Sequence, residues 1–275
     1  MRQHLHTTNH SDNCGELFRR VECECWAPWL RFEPKHFAVH QELFPEGQFR
    51  LFGDDGLPYA ALSCSRIEWD EVIGHLPSWD SIAGQSFSFA EGFANDGNAL
   101  VAMSMSVRRD RMGQGVAREL MKSAIERSAE LGVSYVIADL RPTEYGRAKR
   151  KAFLEFSSYV ALRREDGTRL DPWLRLVEGL GFQLCKIDAT AMVIKASRDD
   201  IDRWMREYNP GSWWQVCNPS VAQQLVNSHA PGTVLPEVAE IWECGETGTW
   251  YLADDRGAYI ESNLWGVLPR KSAGQ

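Results

Sequence analysis

The chain lacks a CxxC pair, a run of 18 apolar residues, an internal repeat and a low-complexity tract. Each absence removes a class of protein. The seven cysteines (14, 23, 25, 64, 185, 217 and 244) are an odd set without zinc-ribbon spacing, which suits a reduced cytoplasm better than a disulfide framework. Without a long apolar run no helix is expected to span a membrane. The polar start MRQHLHTTNHSDN has no apolar core of a secretory signal, and its His4, His6 and His10 are not read as a metal site. Basic residues are also short: 30 Lys and Arg stand against 38 Asp and Glu, a formal net charge of −8. That balance disfavours non-specific nucleic-acid binding and anionic membrane surfaces. What is there is ordinary for a soluble, cytoplasmic globular protein: 275 residues, 44% hydrophobic and 25% charged, enough to bury a full core.

Hydrophobic periodicity divides the chain into elements. Residues 1–15 read as a disordered start. From Glu16 to about Phe44 the pattern is mostly helical, interrupted at Pro28 and Pro34. Gln48–Phe52, the turn Gly53-Asp54-Asp55-Gly56 and Tyr59–Trp69 form a hairpin. Asn98–Val107 is a buried strand by length and apolar content. Val116, Leu120, Met121, Ala124, Ile125, Ala129 and Leu131 then recur at helical spacing up to Gly132. Ser134–Leu140 is a second buried strand, and Tyr145–Arg164 reads as a basic helix. Asp171-Pro172 opens another helix with proline at its first position. Phe182–Ile187 and Thr190–Ala196 read as a terminal hairpin. Composition shifts after Ser197: residues 199–275 carry 11 acidic and 5 basic side chains, and six of the 11 tryptophans. The expected organisation is a core over 16–198 and an acidic, tryptophan-rich extension over 199–275.

The string VRRDRMGQGVARELM, residues 107–121, lies between a buried strand and an amphipathic helix. Gly113 and Gly115 let the backbone turn tightly and approach a ligand with no Cβ in the way. The helix that follows offers unpaired N–H groups and the positive end of its dipole, so the segment suits a phosphate or pyrophosphate. Arg108, Arg109 and Arg111 add charge around it. A plain strand-to-helix turn with solvated arginines is the alternative. A Walker loop is excluded because no Gly-Lys-Ser/Thr ending follows. A dinucleotide site, with Asp139 as its ribose carboxylate, is disfavoured because Arg118 stands where the third glycine belongs. No further strand–helix alternation follows to build a doubly wound sheet.

The run from Val107 to Val133 resembles motif A of the GNAT acyltransferase superfamily: Met112-Gly113-Gln114-Gly115-Val116-Ala117, then Leu120-Met121 and Ala129-Glu130-Leu131-Gly132-Val133. Downstream, Trp173 to Phe182 is similar to the family's closing helix with its Gly-Phe ending. The pattern also looks like a bacterial subgroup, through Phe44-Pro45-Glu46-Gly47-Gln48, Trp69-Asp70 and Asp171-Pro172. The resemblance implies an α/β (α+β) fold with a mixed central β-sheet flanked by helices. It implies acetyl-CoA or another acyl-CoA as donor, or the same phosphopantetheine arm on an acyl carrier protein, with no metal. Val107 then gives backbone contacts to pantetheine, while Gly113, Gln114, Gly115, Val116 and Ala117 cradle phosphate beside Arg108 and Arg111. Two departures stand out. Met112 replaces the usual Arg or Gln, and the tyrosine that many members use to protonate the thiolate falls on Val177.

Acid–base candidates follow from position. The strand Asn98–Val107 has no carboxylate. Glu68 and Asp70, with Trp69 between them, follow the hairpin; a carboxylate there can deprotonate or hold an acceptor ammonium, or simply be solvated. Tyr145 is the best-placed phenol and Arg141 the best-placed anion holder after the second buried strand. Cys64, with no nearby histidine, reads as a buried structural thiol. The tail's tryptophans read either as a cap or homodimer surface or as the core of a β-rich appendage. The functional expectation is N-acyl transfer from a thioester to a small-molecule amine by direct attack in a ternary complex. The alternative is a GNAT-fold binding protein that has lost turnover.

Overall fold

The computed structural model describes residues 4–6, 14–84 and 86–270, with backbone only at 4–6. It divides into two compact units, one holding residues 1–139, 180–183 and 266–275, the other 140–179 and 184–265.

In the first unit the strand order is β1-β2-β3-β4-β5. β1 is His4–His6, which pairs antiparallel with β2. The expectation of a wholly disordered start is therefore corrected at these three residues; β1 covers what would otherwise be an open edge of β2. Residues 7–13 lie outside the described chain. The helical stretch before the hairpin is α1 (Cys14–Leu17), a π-helical turn Phe18–Glu22, α2 (Cys23–Cys25) and, after Pro28, α3 (Pro34–Leu43). The prolines interrupt it as expected. β2 (Gln48–Phe52) and β3 (Pro58–Ile67) form the hairpin, closed by Gly53 N–H to Leu57 O at 2.9 Å. After β3 comes α4 (Trp79–Ala83), capped by the Ser78 side chain.

β4 (Ala99–Val107) runs antiparallel to β3, and their register slips between Ser63 and Cys64. Ser63 faces Ser104 while Cys64 faces Ala102, so Met103 is a bulge residue without a partner on β3. α5 (Val116–Glu130) lies over β2, β3 and β4, burying Val116, Leu120, Met121 and Ala124 along one stripe. β5 (Tyr135–Leu140) pairs parallel with β4, from Ala99 opposite Tyr135 to Ala102 opposite Ala138. There the pairing ends, although β4 runs on to Val107. The two strands part, and the far half of β4 faces its neighbour without ladder bonds.

The second unit begins with α6 (Tyr145–Ala152) and α7 (Phe156–Ala161). The single basic helix expected over Tyr145–Arg164 is thus two, because Phe153 at φ +48° adopts the left-handed conformation and ends the first. α8 (Pro172–Glu178) opens as expected: the Asp171 carboxylate accepts the N–H groups of Trp173 and Leu174. The terminal hairpin is corrected. Residues Gln183–Ser197 form one strand, β6, whose partner is β10. The chain continues through α9 (Arg198–Glu207), β7 (Trp214–Gln215), α10 (Pro219–His229), β8 (Glu240–Glu243), β9 (Thr249–Leu252) and β10 (Arg256–Pro269). The order here is β10-β9-β8-β7, all antiparallel.

Of the two readings of the tail's tryptophans, the β-rich core describes Trp250 and Trp265, both at 0% exposure. Trp250 packs against Trp204 and Tyr259, at ring-centre distances of 5.8 and 5.6 Å. The acidic composition is partly internal as well. Glu243 and Glu261 are fully buried, one paired with Lys149 and the other with Arg141.

Candidate functional site

The first unit builds the glycine loop. Arg108 N–H donates to Tyr59 O at 2.9 Å, carrying the ladder one residue past β4. A 3₁₀ turn, Arg109–Arg111, then redirects the chain. Gly113 and Gly115 sit at φ +75° and +84°, where an L side chain is strained. A Cβ built on either glycine meets nothing within 4 Å, so the space in front of the loop is open. Gly115 is the N-cap of α5 without any side-chain cap. The first i→i−4 bond of the helix runs from Glu119 N–H to Gly115 O at 3.1 Å, which leaves the N–H groups of Val116, Ala117 and Arg118 ahead of it. Gln114 braces the loop by donating from Nε2 to Asp110 O at 2.8 Å. Met112 is exposed.

Beside the loop lies a pocket of ≈ 180 Å³ lined by Gly53, Asp54, Asp55, Leu57, Tyr59, Arg108 and Arg111. The Arg111 guanidinium stands over the Tyr59 ring, 5.2 Å from its centre. The Arg108 guanidinium forks onto the Asp110 carboxylate at 2.6 and 2.5 Å, a bond that draws the carboxyl below its usual range.

The parted half of β4 is braced by side chains that sequence reasoning missed. Trp79 Nε1 donates to the carbonyl of the bulge residue Met103 at 2.8 Å. Trp26 Nε1 donates to Ser106 Oγ at 2.6 Å, and Ser106 in turn donates to Glu22 Oε2 at 3.0 Å. The Cys25 thiol reaches Val107 O at 3.2 Å. Glu22 also accepts the Phe32 N–H at 2.9 Å, and burial pushes its carboxyl up to about 7. No local pattern marks Glu22: charged and apolar residues are mixed around it, and only packing takes it out of water.

The other candidates fall as follows. Glu68 and Asp70 are exposed on the loop after β3. The Asp70 carboxylate bonds His75 Nδ1 at 2.6 Å and accepts the Val72 N–H at 3.1 Å, which holds it below the usual carboxylate range. Trp69 is buried, its backbone clasped by Asn98 in both directions and its ring set edge-on to Tyr135. Cys64 is fully buried and its thiol is pushed far up by desolvation, as a structural thiol requires.

Tyr145 and Arg141 belong to the second unit. The Tyr145 hydroxyl donates to Leu154 O at 3.1 Å, and burial raises its pKa strongly. Arg141, read as a holder of a ligand anion, pairs with the protein's own carboxylates: Glu246 at 2.5 Å and Glu261 at 3.0 Å. Val177 is wholly buried.

Among the described residues no group of three or more His, Cys, Asp or Glu side chains is arranged to hold a metal ion, and no helix is long and apolar enough to cross a membrane. The side chains of His4, His6 and His10 lie outside the described residues.

A mixed sheet whose parallel pair parts beside a glycine loop at a helix N-terminus defines the GNAT fold. No family model matches the chain, and no curated protein matches it. Solved structures do. The loading GNATL domain of CurA from Lyngbya majuscula superposes at TM-score 0.57 with 18% identity, over 68% of this chain and 87% of that one. The GphF GNAT-like decarboxylase in complex with isobutyryl-CoA gives 0.55 and 21%, over 70% and 91%. The chain has the fold of these proteins.

Proposed function

We propose that this protein binds an acyl-pantetheine thioester, acyl-CoA in the first instance, and transfers the acyl group to a small-molecule amine. One observation carries the reading: two left-handed glycines open a helix N-terminus, with clear space in front of them, immediately after a strand that has parted from its parallel neighbour. The loop offers what a pyrophosphate needs, namely main-chain N–H groups, a helix dipole and nearby guanidinium groups. The parted edge of β4, between the Met103 and Val107 carbonyls that already accept from Trp79 and Cys25, offers main-chain groups to the amide-bearing pantetheine arm. In the reaction the amine nitrogen attacks the thioester carbonyl, the C–S bond breaks, and the amine's proton is lost as the thiolate gains one. Glu68 and Asp70 take no part in it: Ile67 faces Ala99, so both carboxylates lie at the end of β4 where β5 is still paired, away from the parted half. The thiolate takes its proton from solvent, since the Tyr145 hydroxyl is buried and already donates to Leu154 O. The net charge of −8 favours a cationic or amine-bearing acceptor over an anionic one.

Gly115→Glu tests the reading. It puts a strained side chain and a negative charge into the cradle, so calorimetric CoA binding is expected to vanish while the circular dichroism spectrum is retained. Undiminished affinity in the folded variant refutes the site.

A second reading is favoured by the absence of any ionisable group on β4 and by the apolar Val177. One similar structure is a decarboxylase by name, and loss of CO₂ from a malonyl-type thioester requires no amine and no base: the C–C bond breaks to leave an enolate, which takes a proton from solvent. Incubation with malonyl-CoA in the absence of amine separates the two: release of CO₂ and acetyl-CoA supports decarboxylation, and its absence supports transfer.

A further inference from the structure

Asp110 stands at the centre of the loop's charge, yet it has the wrong sign for a phosphate site. Its carboxylate takes the Arg108 fork at 2.6 and 2.5 Å and lies 3.9 Å from Arg111 Nε. The Asp110 side chain is 56% exposed while that of Arg108 is 18% exposed, so the arginine is the better packed of the two and the aspartate reaches it from the solvent side. On the other side of the same pocket stand Asp54 and Asp55, and Asp55 is 3.5 Å from Arg20. The two arginines that face the loop are therefore balanced by the protein's own acids.

We propose that Asp110 is a built-in competitor for the donor's phosphates: it occupies Arg108 in the free protein and sets the affinity of the loop for phosphorylated donors. The inference rests on the reading of the loop as a donor site. An exposed carboxylate–guanidinium pair is a weak bond, so a ligand phosphate displaces it readily. The displaced carboxylate then stands as a like charge beside the ligand. Both effects lower affinity, and both are electrostatic and screened by salt.

Calorimetry on the full chain compares wild type, Asp110→Asn and Asp110→Ser, with CoA and with S-acetylpantetheine, which carries no phosphate. The expected result is about five-fold tighter CoA binding in both variants at low ionic strength. That gain fades toward none at about 1 M salt, and S-acetylpantetheine binds wild type and variants alike. Unchanged or weaker CoA binding overturns the proposal. An equal gain for both ligands also overturns it, since that reports a rearranged loop rather than a released arginine. If neither wild type nor the variants bind CoA at millimolar concentration, the donor reading itself fails and takes the inference with it.

Discussion

Replacing Lys149 with Met removes one half of an ion pair that lies almost wholly out of water. The side chains of Lys149 and Glu243 are 4% and 2% exposed, with Nζ 2.6 Å from Glu243 Oε2. The ammonium group spends its other two protons on Gly248 O at 3.0 Å and Thr249 Oγ1 at 3.3 Å, and Thr249 donates to Glu243 Oε1 at 2.7 Å. Every donor and acceptor of the pair is matched, so the wild-type network itself is not a large source of net stability. Methionine fills much the same volume but leaves a buried carboxylate without a counter-charge and two oxygens without a donor. Breaking such a pair from one side costs about 3–5 kcal/mol. For a chain of this size that corresponds to a fall in Tm of about 6–20 °C.

The deficit also depends on pH in a defined direction. Burial already raises the Glu243 pKa, and Lys149 is what opposes that rise. Without the lysine the folded protein binds a proton that the unfolded chain releases above its ordinary carboxyl pKa. Stability of the variant therefore grows as pH falls from about 8 toward about 5. Thermal melts across that range, with Lys149→Met/Glu243→Met alongside, measure both effects. The double variant is expected to recover most of the loss, because two apolar side chains of similar volume replace the pair. A loss below about 1 kcal/mol at neutral pH, or a deficit that does not change with pH, refutes the argument.

Two further perturbations test other parts of the structure. Glu22→Gln removes a buried carboxyl whose pKa is raised from 4.5 to about 7. In the wild type the stability tied to that proton is whole below about pH 4.5 and lost as pH rises through 7, about 3 kcal/mol in all. The Tm of the variant is expected to be flat over this interval and to exceed the wild type at pH 8, and a parallel dependence in both proteins refutes the burial argument. Gly146→Ala sets a Cβ against the Gly245 carbonyl, so the backbones of α6 and the β8–β9 loop must separate. A loss of about 1–3 kcal/mol in urea unfolding is expected, and a neutral substitution shows that the close approach is not required.

The loop from Val107 to Ala117 was legible in the sequence because everything that makes it is local. Two glycines one residue apart, a buried strand before them and a periodic apolar stripe after them specify a strand, a turn with left-handed backbone and a helix start. None of this depends on a distant partner. The Asp171-Pro172 helix start and the proline breaks at 28 and 34 were legible for the same reason. Tertiary structure alone decided the rest. Residues 183–197 contain two short strand-like runs with a polar middle, and locally a hairpin satisfies them; they form one strand instead, and its pairing partner is β10, remote in sequence. The parting of β4 from β5 is equally invisible in their composition, since both strands are mostly apolar and only the pairing shows where the ladder stops. Glu22, Lys149, Glu243 and Glu261 read as ordinary surface charges in sequence, and Arg141 as a holder of a ligand anion. Burial is a property of the whole fold, and it alone turned them into internal pairs and a displaced carboxyl pKa. The sequence determined the strand, the glycine turn and the helix start; the packing of distant segments decided which charges leave the solvent and which strands part.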